Sequence, residues 1–374
     1  MRLLALAGDI DSLIAEIRLR TPLEAQVQRI GWTLTLRSFH DCQRSDLAAA
    51  EVLIVQRADS RRAWALQRAM RLRGGAVICE IDDLLTEMPA HISNQRATQS
   101  RRVWVLRCLA EADAVTAATR RLGDELGLPA AYVVPNHALP LGDLPIPPLD
   151  PAQPVSLLFA GMERLATNFI YAPLRALQAQ GLALQVVVMG PPGAAFVAAG
   201  VAAQCHSLLP RAQFIEFARG LPNPLAVIPL EDSRFAACKS AIKWFEYAEA
   251  GIPVLCSGVS PYREVVDDGL TGRLVGNEPA AWQAALEAAV ADGPWRQRCA
   301  AAARRVVRER HTLAQTSEAW QVAVEGALRR RQDLGPLQAG LALRVQDGLH
   351  AVLEAPALRL RQLNRARLAR RQRV

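Results

Sequence analysis

Short runs of mostly apolar residues recur along the chain, separated by longer segments of helical character, and this spacing constrains the fold more than any other feature. Leu3–Ala7, Val52–Val55, Ala76–Ile81, Ala114–Thr116 and Tyr132–Val134 form a first set. Val155–Ala160, Leu184–Met189, Ala226–Leu230, Val254–Ser257 and Arg273–Val275 form a second. These runs do not alternate apolar and polar residues as a strand with one wet face would, so they read as parallel strands covered on both faces. Arg61–Arg73, Arg96–Ala112, Ala172–Ala179 and Pro279–Ala291 have helical length between them. Strand–helix repetition of this kind makes a doubly wound α/β layer.

The two sets are separated by residues 138–154, where six prolines in 17 positions exclude a regular element. The expected architecture is therefore two Rossmann-like domains facing a central cleft, residues 1–146 and 147–312, with a ligand held between them. A helix over residues 313–331 is expected to pack back across the domains, and a basic tail over residues 332–374 follows it. The formal net charge is +8, but residues 355–374 hold seven arginines and no acid, which leaves about +1 for the rest. The body is thus not a basic nucleic-acid binder. The tail reads either as a solvated extension or as a peripheral contact with an anionic membrane face. Seven cysteines, an odd number with no Cys-x-x-Cys pair, argue against a disulfide framework and a zinc cluster. The first apolar run stops at Gly8-Asp9, too short for a signal peptide or a membrane span. A cytoplasmic location is the resulting expectation.

Of 44 basic residues only two, Lys239 and Lys243, are lysines, and they stand four positions apart. After a strand ending at Leu230, Ser240 is a good N-cap for a helix reaching Ala250; Gly251 closes it and Pro253 opens the next strand. On such a helix Lys239, Lys243, Glu246 and Ala250 share one face, opposite Ala241, Trp244, Phe245 and Ala248. A helix N-terminus with two ammonium groups, placed at the carboxyl end of a parallel strand, suits a diphosphate. A carboxylate about one turn on can accept hydrogen bonds from ribose hydroxyls. The plainer reading of Lys243 and Glu246 is a solvated surface pair worth a few tenths of a kcal/mol. Spacing favours that reading; the rarity of lysine and the strand-end position bring the two level.

The stretch Glu246-Tyr247-Ala248-Glu249-Ala250-Gly251-Ile252-Pro253-Val254, followed by Tyr262-x-Glu264-x-Val266-x-Asp268-Gly269-x-x-Gly272-x-Leu274-Val275, resembles the nucleotide-sugar-binding segment of group 1, family-four GT-B glycosyltransferases. Val133-Val134-Pro135-Asn136 is similar to the segment closing their N-terminal domain. Ala76–Asp83 is similar to a strand with an Asp-Asp pair in bacterial sugar transferases of that group. The resemblance implies a GT-B fold and transfer of a sugar from a nucleoside diphosphate sugar to a hydroxyl of a glycan, lipid-linked or protein acceptor. It further implies retention of configuration and a place in polysaccharide or glycoconjugate assembly. Glu246 would hold the donor ribose, and Lys243, with Lys239, would neutralise the departing diphosphate. Ser240 and the backbone around Gly258, Val259 and Ser260 would complete the donor site, and Arg164 would stand for the family's phosphate arginine. The first glutamate of the family's commonest pattern falls on Cys238. A non-catalytic nucleotide- or glycan-binding protein of this fold is one alternative, and a sugar-nucleotide epimerase or hydrolase is another.

On the acceptor side, Asp82 and Asp83 follow a strand end and suit either a base facing the cleft, with Asp83 the catalytic candidate, or a helix cap. His91 and His137 lie just past strand ends, although a lone histidine is more often structural. Arg18 follows the first strand and could meet an anion. Asp9-Ile10-Asp11 matches a metal-binding Asp-x-Asp, but it lies so early in the chain that Asp9 reads better as a helix cap. No metal and no cofactor beyond the nucleotide sugar is expected.

Overall fold

The computed structural model describes residues 1–90, 92–161 and 168–334. Twelve parallel strands form two six-stranded sheets. The first contains β1 (Arg2–Ala7), β2 (Thr33–Ser38), β3 (Val52–Gln56), β4 (Ala76–Ile81), β5 (Ala114–Ala117) and β6 (Tyr132–Val133), in the order β2-β1-β3-β4-β5-β6. The second contains β7 (Val155–Ala160), β8 (Leu184–Met189), β9 (Ala203–His206), β10 (Pro224–Ile228), β11 (Val254–Ser257) and β12 (Arg273–Val275), in the order β12-β11-β10-β7-β8-β9. Strand order reverses beside β1 in one sheet and beside β7 in the other, the positions at which open α/β sheets leave a crevice at the strands' carboxyl ends.

Burial follows the sequence pattern. β3, β4, β5 and β10 are buried along their whole length, as parallel strands covered by helices on both faces must be. β2 and β9 were not anticipated, and the reason is their position. Both are edge strands with mostly exposed or half-buried residues, so Thr33–Ser38 and Ala203–His206 carry no apolar run. Residues 138–154 form neither strand nor helix. Asp9 does not cap a helix: its carboxylate accepts from the Asp11 amide at 3.0 Å, and Ser12 takes the cap.

The helix Leu313–Leu334 follows the second sheet yet packs on the first. Trp320, Val324 and Ala327 lie fully buried in one cluster with Leu3 and Ala5 of β1, and Trp320 Nε1 donates to the Arg18 carbonyl at 2.9 Å. A second crossing runs the other way. Phe235 and Cys238, from the segment after β10, are buried among Leu4, Val77 and Ile81 in the core of the first sheet.

Candidate functional site

A cavity of about 210 Å³ opens between the carboxyl ends of the two sheets, lined from the first half by Arg18, Arg57, Asp82, Asp83 and Asn136 among others. Arg18 sits on a π-helical turn, Glu16–Arg20, that carries its side chain inward. Its Nε donates to Glu80 Oε1 at 2.8 Å, and its Nη1 donates to the Val134 carbonyl at 2.6 Å and to Asn136 Oδ1 at 2.8 Å. Glu80 is fully enclosed, and burial raises its carboxyl above the usual range despite the opposing pull of Arg18. Asp82 and Asp83 follow β4 directly. Both accept from Arg57, whose fork reaches the two oxygens of Asp82 at 2.5 and 2.6 Å and Asp83 Oδ2 at 2.7 Å. Burial disfavours the Arg57 charge, but the two carboxylates outweigh it and hold its pKa above the ordinary value. The Arg57 backbone adopts φ +48°, rare for a residue with a side chain, at the turn that aims this fork.

The opposite wall comes from the segment that carries both lysines. Its helix spans Ile242–Ala250 and ends on Gly251 at φ +72°. Ser240, expected as its cap, lies outside it; Ala241 takes the cap position with no side-chain hydrogen bond. The cause is an extra short helix, Arg234–Ala237, capped by Ser233, which draws residues 238–239 into a turn. Lys239 therefore does not share a helical face with Lys243. Both still reach the cavity wall, as does Ser240. Lys239 Nζ lies 3.6 Å from Asp83 Oδ1 and 4.7 Å from the Phe235 ring centre, so it spans the cleft. Lys243 crosses to the end of β7, where a Cβ on Gly161 would lie 2.5 Å from its Nζ; the missing side chain makes room for the ammonium group.

Glu246 is not among the lining residues. It meets Arg211, whose Nε donates to its Oε1 at 2.6 Å and whose Nη2 donates to the His137 carbonyl at 2.9 Å. Burial raises the Glu246 carboxyl above its usual value, against the attraction of Arg211 and Lys243. His137 was expected at the cleft and is instead fully buried. Burial, then Arg211 and Arg18, push its pKa down to about 3, so the ring stays neutral. Gly258, Val259 and Ser260 are also absent from the lining; the Gly258 amide donates to the Val275 carbonyl at 2.7 Å and the Ser260 hydroxyl donates to Glu264. Tyr262 lines the cavity in their place. His91, Arg164 and the tail from residue 335 onward lie outside the described residues.

Cys238, at the position of the first glutamate in the pattern that the segment resembles, faces away from the cavity into the core of the first sheet. Its carbonyl accepts from Thr119 Oγ1 at 2.9 Å. Arg234 beside it pairs with Glu87 at 2.9 Å and Glu125 at 2.5 Å, so this loop of the second half is docked on the first. Arg57 and Arg211 escaped the sequence reading. Each is one of 42 arginines with no spacing to single it out; the one faint signal was Asp82-Asp83, a carboxylate pair in need of a partner.

No protein-family profile and no curated protein sequence matches the chain. Solved structures do. Sucrose-phosphate synthase from Thermosynechococcus elongatus superposes with a TM-score of 0.62 at 14% identity, covering 86% of this chain and 98% of that one. HepE from Anabaena, crystallised with UDP and glucose, gives 0.59 at 12% identity, covering 87% and 99%. A structure described as a UDP-N-acetylglucosamine 2-epimerase, from Listeria monocytogenes, gives 0.55 at 12% identity, covering 88% and 96%. Two parallel α/β sheets meeting at a cleft, with this set of neighbours, establish that the chain has the GT-B fold.

Proposed function

We propose that the chain is a glycosyltransferase moving a sugar from a nucleoside diphosphate sugar to an acceptor hydroxyl. The observation that carries this reading is the convergence of Lys239 and Lys243, the chain's two lysines, on one interdomain cavity at the carboxyl ends of parallel strands. Breaking a sugar–phosphate bond develops charge on the departing diphosphate, and two positioned ammonium groups favour that charge most when it is fully formed. Lys243 over Gly161 serves the diphosphate, and Glu246, which does not line the cavity, serves the ribose on exchanging its bond to Arg211 for the sugar hydroxyls. Asp82 and Asp83 face the acceptor, with Asp83 the candidate base. Retention of configuration, independence of metal and a role in polysaccharide or glycoconjugate assembly belong to this proposal. The UDP and UDP-glucose bound in the Anabaena neighbour support a nucleotide sugar as the donor.

A sugar-nucleotide epimerase is the second reading, favoured by the Listeria neighbour. Thermal-shift measurements with UDP-, GDP-, dTDP-, ADP- and CMP-sugars, followed by product analysis without acceptor, separate the two. Stabilisation by one nucleotide class, lost in Lys243→Ala, supports the site. Conversion of the donor sugar in the absence of any acceptor would replace the transferase reading with the epimerase one.

A further inference from the structure

The helix Gln95–Glu111 covers the first sheet with Thr98, Val105, Cys108 and Leu109. At about 100° per residue, Val103, Leu106 and Ala110 fall together on its opposite side. Val103 is 51% and Leu106 42% exposed. Arg96, Arg102 and Arg107 stand exposed along both margins of this row, and Arg101 pairs with Asp59 on the flank at 3.5 Å. Glu111 is the helix's one acid, and Trp64 Nε1 donates to it at 3.0 Å.

Isolated exposed aliphatic residues are ordinary. An aligned row bordered on both sides by arginines is different, because each part matches one layer of an anionic bilayer surface. Apolar side chains enter the acyl boundary, while arginines lay their stems on the interface and reach lipid phosphates. A protein partner of matching form would need an apolar groove between two acidic margins; a bilayer of acidic lipids supplies both without further design. We propose that this helix face docks the chain onto an anionic lipid surface. The helix begins soon after Asp82 and Asp83, so docking sets the acceptor wall of the cleft beside the membrane. The inference is separate from the arginine-rich tail, which lies outside the described residues, and it requires no turnover.

The test is flotation of the full chain with vesicles of mixed phosphatidylglycerol and phosphatidylcholine, and with phosphatidylcholine alone. The wild type should float with the anionic vesicles only. Val103→Asp with Leu106→Asp, and separately Arg96→Glu with Arg102→Glu, should each lower the bound fraction about tenfold at an unchanged melting temperature. If the aspartates lower the melting temperature, the arginine pair, which lies wholly at the surface, decides. Undiminished binding in the arginine variant assigns the contact to another surface and overturns the proposal. So does equal binding to neutral vesicles, or no binding by the wild type.

Discussion

The two walls of the cleft treat charge differently. On the first wall Arg18 and Arg57 meet Glu80, Asp82 and Asp83 at 2.5 to 2.8 Å, two cations against three carboxylates. The second wall brings Lys239 and Lys243 to the lining, Lys239 reaching Asp83 of the first wall at 3.6 Å, while Glu246 is turned to Arg211. The difference teaches that the arginines and the lysines do separate work. Arg18 ties Glu80 to Val134 and Asn136 within the first half, whereas both lysines of the chain stand on the second wall.

Removing Arg18 should have the largest effect. Arg18→Met leaves Glu80 enclosed without its partner and should cost about 3–5 kcal/mol in urea unfolding. Burial already raises the Glu80 carboxyl, so this loss should shrink as pH falls and Glu80 takes up a proton. Full stability with loss of donor binding alone would erase the contrast between the walls. Cys238→Glu introduces the first glutamate of the pattern that the segment resembles, but places a carboxylate in an apolar core. It should destabilise by about 3 kcal/mol or more and yield no gain in turnover; a stable, faster enzyme would mean that the 234–239 segment leaves its dock.

Lys243→Ala should instead lower turnover about 100- to 1,000-fold, with the melting temperature close to wild type. Assay and calorimetry on one preparation check both halves of that statement. The most gradual effect is a pH slope. His137 and His311 are held neutral mainly by burial, with pKa values lowered to about 3 and about 4. Unfolded imidazoles take up protons near pH ~6.5, so between there and about pH 4 the unfolded state binds more protons than the native one. Stability should therefore fall as pH drops through that window, by up to about 1.4 kcal/mol per unit for each ring. His137→Gln should make the slope shallower; an unchanged slope would place the proton uptake elsewhere.

The central strands were legible because strands buried on both faces must be apolar throughout, as Val52–Gln56 and Pro224–Ile228 are. The edge strands β2 and β9 were not, because solvent relaxes that demand. At the site, the rarity of lysine drew attention to positions 239 and 243, and both reach the cavity. The start of their helix was misjudged for a reason no local rule contains. Ser240 is a better cap than Ala241 on propensity alone, yet the preceding residues are anchored on the other half through Arg234, Phe235 and Cys238.

By itself the sequence determined the class of fold, the division into two α/β halves, the helix stop at Gly251 and the segment that forms the second wall. Each rests on local chemistry: apolar runs, prolines, a glycine that tolerates positive φ, and scarce lysines. Only the tertiary structure decided which charges meet. The pairs Arg18–Glu80, Arg57–Asp82, Arg211–Glu246 and Lys239–Asp83 join residues 25 to 156 positions apart. Arg18–Glu80 and Arg57–Asp82 depend on how the first half folds on itself, Arg211–Glu246 on the second, and Lys239–Asp83 on how the two sheets come together; spacing along the chain carries no record of any of these.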